Sequence, residues 1–370
     1  MGLRPSALPD FPWDSLVPFR ETAARYAGGV VDLSVGTPVD PTPAVIQDAL
    51  RVAADSPGYP TTHGTAALRE AVVTWFARRR GVPGLDPAAV LPTVGSKEFV
   101  ALAPALLGIG EGDVVVHPTV AYPTYDAGAR LAGATPLPAD DPDQWLAVPN
   151  VKAVWVNSPS NPTGAVASRE ALARVVAAAR GIGATVFSDE CYAELTWQGS
   201  GPAPSILDPA VCGGSTDGVV AVYSLSKQSN LAGYRAAFAA GDPDVIARLL
   251  EVRKHAGLIV PGPVQAAMIA ALADDDHVVT QRERYGARRA TLTSGLQKAG
   301  FRIDDSQAGL YLWATRGEDC WDTTAWLAGL GIVVAPGAFY GEAGRRHVRI
   351  ALTATDERVA AAALRLTNAR

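Results

Sequence analysis

A chain of 370 residues, 48% of them hydrophobic, can bury a large core, and a prior of about 150 residues per domain predicts two domains or so. Its formal net charge of -5 offers no basic field to hold nucleic acid or an anionic membrane surface, which leaves small-molecule work as the default. Cys191, Cys212 and Cys320 lie far apart without CxxC or His/Cys spacing, so neither a disulfide framework nor a metal site is expected, and a reducing cytoplasm fits.

The opening MGLRPSALPDFPWDSL has no apolar h-region, and no stretch reaches the roughly eighteen uninterrupted apolar residues of a membrane span. Pro5, Pro9, Phe11, Pro12, Trp13 and Pro18 form a Pro-rich aromatic arm that packs on something else, followed by a short amphipathic helix at 19–26. Residues 30–43 (VVDLSVGTPVDPTP) predict a strand and a Gly/Pro turn, and Pro43 opens an amphipathic helix. The loop GYPTTHG leads into another helix. Residues 96–107 form a helix that begins just after Gly95, so its N-terminus is a candidate anion site.

From there strand and helix alternate: strands at 114–117, 153–157, 184–190 and 219–224, with helices after Tyr122 and at 168–179. Near-continuous apolar strands between helices predict a mostly parallel sheet covered on both faces, an α/β domain. After Lys254 the texture changes to a long Ala-rich helix from Pro263, a charged helix at 282–296, and strands at 309–314 and 332–335. Helices near 323–330 and from Asp356 complete a second, α+β domain.

Chemistry gathers at the strand ends, where open α/β sheets place their ligand crevices. AVWVN runs into SPSNPTG and Asn161, ATVFS into Asp189 with Tyr192 close behind, and VVAVYS into Ser224, Ser226 and Lys227, with Arg235 following Gly233. An amide, a carboxylate with a phenol, and an amine thus reach one edge. Lysine forms Schiff bases with carbonyls, and arginine suits a phosphate. Each part taken singly also reads as ordinary structure: a capped loop, a turn, a loop acid. Cys191 reads as a small core residue, since no base is evident beside it.

NSPSNPTG, SDECYAEL, SLSKQSNLAGYR and HVRIAL, in that order, resemble the fold type I pyridoxal-phosphate aminotransferases of class I/II across essentially the whole chain. VDLSVGTPVDP, GYPTTHGTAALRE and the ending from VAPGAFYGEAG look most like the N-succinyldiaminopimelate aminotransferases of high-GC Gram-positive bacteria. The resemblance implies a mostly parallel seven-stranded sheet flanked by helices. Residues 1–35 would form the arm and part of the small domain, 36–258 the cofactor domain and 259–370 the small α+β domain.

It also implies roles. Lys227 would bind pyridoxal 5′-phosphate as a Schiff base and shuttle the substrate proton; Asp189 would face the pyridine nitrogen. Tyr192 and Asn161 would hydrogen-bond the ring's phenolic oxygen, and Tyr122 would stack on the ring. Ser96, Lys97, Ser224, Ser226 and Arg235 would hold the phosphate, with Tyr59 reaching it from the partner subunit of a homodimer. Arg349, assisted near Gly36 and Asn161, would take the substrate α-carboxylate. For further carboxylates the sequence offers Lys97, Arg25, Arg253, Lys254 and His63; Lys97 is favoured because its helix start faces the phosphate, and a solvated first-turn lysine is the alternative.

The chain departs from the family pattern where Ala236 and Ala237 follow Arg235, and in being short. The implied reaction takes the amino group of glutamate to N-succinyl-2-amino-6-oxoheptanedioate, in lysine and diaminopimelate synthesis in the cytoplasm. A transaminase for aromatic amino acids, histidinol phosphate or aspartate, and a lyase such as a C–S lyase, share the same cofactor site. So does the sensor domain of a transcription regulator, which would need a basic helix-turn-helix segment that this sequence lacks.

Overall fold

The computed structural model describes residues 8–197 and 201–369; the Met-Gly start through Ala7, with Pro5 of the arm, lies outside the described residues. Seven strands form the large sheet in the order Val90–Val94, Ala236–Gly241, Val219–Ser224, Thr185–Asp189, Val151–Asn157, Val114–His117, Thr135–Pro138. Only Ala236–Gly241 runs against its neighbours; the others are parallel to one another. The strands are apolar on both sides because both faces are covered. Val219, Ala221 and Tyr223 face a core containing Trp75, Phe76 and Phe238, while Val220 and Val222 face one containing Phe99, Trp155 and Phe187.

Three of these strands escape a reading by pattern. Thr135–Pro138 carries two prolines, which an edge strand tolerates. Ala236–Gly241 is mostly alanine, a weak strand former, and is buried throughout by its place between two partners. Val90–Val94 is short, contains Pro92 and is held at the other edge.

A second sheet takes the order Ala335–Pro336, Val348–Ala351, Tyr311–Thr315, Arg302–Asp304, all antiparallel. The single strand expected at 332–335 is divided: Ile332–Val333 pairs in parallel with Val31–Asp32, and Ala335 begins pairing with Val348–Ala351. The helices Asp276–Lys298, Cys320–Gly329 and Asp356–Asn368 supply Tyr285, Leu292, Leu327 and Leu366 to its core. The helix Gly262–Ala273, grouped by the sequence reading with the C-terminal unit, instead packs on Ala44–Val52 and Ala66–Arg80 and buries Ala267, Met268 and Leu272 in the large core. The arm packs on the chain's own small sheet. Trp13 lies 5.2 Å from Phe339, and Phe19 stacks on Trp321. Among the described residues no helix is long and apolar enough to cross a membrane, and no group of His, Cys, Asp and Glu is placed to hold a metal ion.

One buried ion pair braces the sheet edge that matters most. Arg80, at the end of Ala66–Arg80, reaches Glu190 at 2.9 Å with both side chains essentially inaccessible, and Glu190 also accepts from the Ile206 amide at 2.7 Å. Removing one partner leaves a buried charge without compensation. Arg80→Ala is therefore expected to cost about 3–5 kcal/mol in equilibrium urea unfolding, and a loss below about 1 kcal/mol would contradict this role.

Candidate active site

Parallel register brings the chemistry together. Asn157 lies opposite Asp189 and Asp189 opposite Val222, two residues before Ser224, so three adjacent strands end side by side. Above them opens a cleft of about 670 Å³. Lys227, Asp189, Tyr192, Ser96, Lys97 and Tyr122 line it, as do Asn161, Ser224, Ser226, Arg235, Gly36 and Arg349. Tyr59 stands apart, 99% exposed and outside the cleft.

At the cleft floor Asp189 is a buried carboxylate with no cation paired to it among the described residues. Its partners are the Tyr125 hydroxyl at 2.9 Å and the Cys191 amide at 3.2 Å. Burial pushes its carboxyl above the usual carboxylate range, with hydrogen bonds from Cys191 and Tyr125 pulling the other way. Such a group fits a ligand bearing a protonated ring nitrogen. Burial and the neighbouring Asp189 also push the Cys191 thiol well up, which does not suit a nucleophile.

At one end of the cleft the chain presents donors. The helix Ser96–Leu106 starts after Gly95 with no side-chain cap, leaving its first amides free for an anion. Glu98 in that first turn accepts from the Val94 amide at 3.1 Å and is gripped by the buried Arg253 at 2.7 Å, which fixes strand end to helix start. Ser224 donates to Ser226 at 2.9 Å. Arg235, held in the left-handed region at φ 56°, bonds only the Ala232 carbonyl at 2.9 Å and has no carboxylate partner among the described residues. Uncapped amides, two hydroxyls and an unpaired guanidinium make a fitting seat for a phosphate. Gly95 is required here: at φ 78°, a Cβ would come within 2.0 Å of the Arg235 guanidinium.

At the other end Arg349, 2% exposed on the strand Val348–Ala351, donates to Asn161 Oδ1 at 2.9 Å and to the Ser34 carbonyl at 2.7 Å. A guanidinium only donates, so Arg349 fixes the Asn161 amide with its oxygen inward and leaves the NH2 as a donor. The Asn157 side chain in turn accepts from the Asn161 backbone N–H at 2.7 Å and donates to the Asp189 backbone carbonyl at 3.0 Å. The Lys227 amine donates to the Gly36 carbonyl. Lys97 lies 5.6 Å from the Phe11 ring and 6.0 Å from that of Tyr122, again without a carboxylate partner among the described residues.

Of the cations considered for further carboxylates, only Lys97 lines the cleft. Arg253 is spent on Glu98, Lys254 pairs with Glu251 at 2.6 Å, His63 faces the Ala88 carbonyl, and Arg25 lies elsewhere. Sequence reasoning passed over Tyr125, Tyr311, Asn157 and Arg20, all of which line the cleft. Tyr125 had a signal in its i+3 spacing from Tyr122, and Asn157 in being the polar end of an apolar strand. Tyr311 and Arg20 carried none.

The family model described as "Aminotransferase class I and II" matches residues 28–366. The chain belongs to the class I and II aminotransferases. It is 59% identical to the 4-dedimethylamino-4-oxo-anhydrotetracycline transaminase OxyQ of Streptomyces rimosus, over 97% of this chain and 99% of that protein. It is 58% identical to a probable aminotransferase of Mycobacterium tuberculosis, over 98% of this chain and 86% of that protein. Among solved structures, a probable N-succinyldiaminopimelate aminotransferase of Thermus thermophilus superposes with a TM-score of 0.84 at 31% identity, covering 96% of this chain and 99% of that one. The aminotransferase cofactor is pyridoxal 5′-phosphate, and the unpaired Asp189 and the phosphate seat fit it. Gly95→Ala drives Arg235 from that seat, so the expected outcome is about tenfold or greater loss of cofactor affinity in equilibrium dialysis, roughly one charge-assisted contact. Wild-type affinity would contradict the seat.

Proposed function

We propose that this aminotransferase works as a homodimer and moves the amino group of glutamate to N-succinyl-2-amino-6-oxoheptanedioate, on the route to diaminopimelate and lysine. The observation that carries the reading is a pair of separate cleft cations, Arg349 and Lys97, neither paired with a carboxylate among the described residues. Glutamate and this acceptor each carry one carboxylate beside the reacting carbon and at least one further out, two in the acceptor. Arg349 takes the first, aided by the backbone near Gly36, and Lys97 the second. A charge-assisted contact of this kind contributes about 1.5–3 kcal/mol, enough to rank dicarboxylic over monocarboxylic donors. The sequence resemblance and the likeness to the Thermus thermophilus structure support the choice of acceptor.

Bound pyridoxal phosphate supplies an electron sink for charge at the substrate Cα. The chain's residues supply the rest. The Lys227 amine would hold the cofactor and would carry the proton to and from the substrate Cα as general base and acid. Asp189, buried without a cation partner among the described residues, would keep the ring nitrogen protonated. The Asn161 NH2 and the Tyr192 hydroxyl would hold the ring's phenolic oxygen as donors, and Tyr122 would pack on the ring. Ser96 and Lys97 amides, the Ser224 and Ser226 hydroxyls and Arg235 would hold the phosphate, and the exposed Tyr59 of a second copy would complete that seat.

One observation favours a second acceptor. Phe11 and Trp13, with ring centroids 5.5 Å apart, form an aromatic wall in the same cleft, and the 59% identical relative is by name a transaminase of an oxo-anhydrotetracycline. On that reading a polycyclic ketone lies against those rings.

Four outcomes follow from this reading. With glutamate as donor, kcat/KM is expected to be at least about a hundredfold higher for the N-succinyl acceptor than for the oxo-anhydrotetracycline, roughly two charge-assisted contacts; the reverse order selects the second reading. Lys97→Met should lower kcat/KM for glutamate about tenfold while leaving alanine nearly unchanged, and an equal fall for both would remove Lys97 from the distal carboxylate. Lys227→Ala should cost turnover at least about four orders of magnitude, since it removes covalent carrier and base together. Tyr59→Phe should weaken cofactor retention with the fold intact by circular dichroism; unchanged retention would take Tyr59 from the phosphate.

A further inference from the structure

A second cavity, of about 470 Å³, opens on the same edge of the large sheet as the cleft. It lies at the ends of the two outermost strands on that side, Val114–His117 and Thr135–Pro138, where His117 and Pro138 stand opposite each other in register. Tyr122 lines both spaces. So does the arm, with Phe11 and Trp13 on the cleft and Pro9 and Pro12 on the second cavity.

The lining is mostly flat and apolar, with four prolines and the rings of Tyr122 and Phe339. Yet two lining residues carry a buried polar atom with no hydrogen-bond partner among the described residues, His117 at Nε2 and Tyr340 at its hydroxyl. His117 is 6% exposed, and its Nδ1 lies 2.9 Å from the Pro118 carbonyl. A carbonyl only accepts, so Nδ1 carries the proton and Nε2 of the neutral ring is a bare acceptor. Burial favours that neutral ring and holds it below the ordinary histidine value, against the pull of the Pro118 carbonyl, Asp126 and Asp140. A buried acceptor is costly to leave without a donor.

These features select a ligand chemistry. The volume falls within the range of small-molecule pockets and far exceeds the room one bridging water needs. No lysine or arginine lines the cavity, and its two carboxylates are engaged, Asp126 with Arg130 at 2.7 Å and Glu342 with Arg345 at 3.3 Å. Neither an anion nor a cation therefore finds an unpaired opposite charge there. Proline and ring faces suit an aromatic body, and Nε2 takes an O–H donor.

We propose that this cavity is a binding site, separate from the cleft, for an uncharged hydroxyaromatic molecule whose hydroxyl donates to His117 Nε2. The site does not depend on which acceptor the enzyme uses. Its occupant lies against Tyr122 and the arm, which also wall the cleft.

The test is isothermal titration calorimetry of 2-naphthol into the holoenzyme, with saturable binding of one molecule per chain expected. His117→Leu removes the acceptor and should weaken binding about tenfold, roughly one hydrogen bond to a buried group. Ala343 is exposed at the cavity's rim, so Ala343→Trp should fill the mouth without disturbing the fold. It too should weaken binding by about tenfold or more, and it stands in if His117→Leu does not fold. Phe11→Ala, on the cleft wall, should leave the affinity within about twofold. No saturable binding by the wild type overturns the site, as does unchanged affinity in a folded His117→Leu or in Ala343→Trp. A loss confined to Phe11→Ala places 2-naphthol in the cleft and overturns it equally.

Discussion

Asp189 is a negative charge that the protein buries and does not neutralise with a cation of its own among the described residues. Burying a lone carboxylate is costly, and burial raises its proton affinity; a structure keeps such a group only where something else completes it. The surrounding sheet is arranged to hold it in place. Its strand ends in register with Asn157 and with Val222, two residues before Ser224; Tyr125 and the Cys191 amide each bond one of its oxygens, and Arg80 pairs with Glu190, the next residue. On the proposed reading, a protonated ring nitrogen in the cleft would supply the missing charge.

The two ends of the cleft come from different cores, which makes their separation a property of the whole chain. Lys227 and the phosphate seat stand on the seven-stranded sheet, whereas Arg349 and Tyr311 stand on the four-stranded one. The helix Asp276–Lys298 ties them. His277 links Ser229, two residues past Lys227, to Asp274 at 2.8 and 3.0 Å. Ser229 is fully buried, so this Ser-His-Asp chain holds structure and meets no substrate. Further along, Arg288 grips Asp40, four residues past Gly36, at 2.7 Å and Asp356 at 2.6 Å. The lysine turn, the Gly36 loop and the last helix are thereby fastened to one rod, which on the proposed reading would set the distance between the substrate carboxylate and the amine.

Much of this was legible in the residues. Apolar β-branched runs that stop in Asn, Asp or Ser announce buried parallel strands with chemistry at their ends, and the cleft lining follows them closely: Asn161, Asp189, Tyr192 and Lys227 all lie where their motifs put them. What the sequence hid depends on partners distant in the chain. Ala236–Gly241 and Thr135–Pro138 have poor strand composition and exist because neighbours pair with them. Arg253 reads as a free cation near a motif, yet 155 residues separate it from the Glu98 that occupies it. Tyr311 reads as core, because nothing local says that Arg349 and Gly36 will fold onto it.

The most direct test of the account is a half-reaction in the spectrophotometer. Purified protein loaded with pyridoxal phosphate is mixed with glutamate alone, and the cofactor band is followed as it passes to the absorbance of the amine form. The account predicts complete conversion, and its reversal when N-succinyl-2-amino-6-oxoheptanedioate is added afterwards. A protein that holds the cofactor but whose band no amino donor changes would contradict the transfer chemistry assigned to Lys227, Asp189 and Arg349.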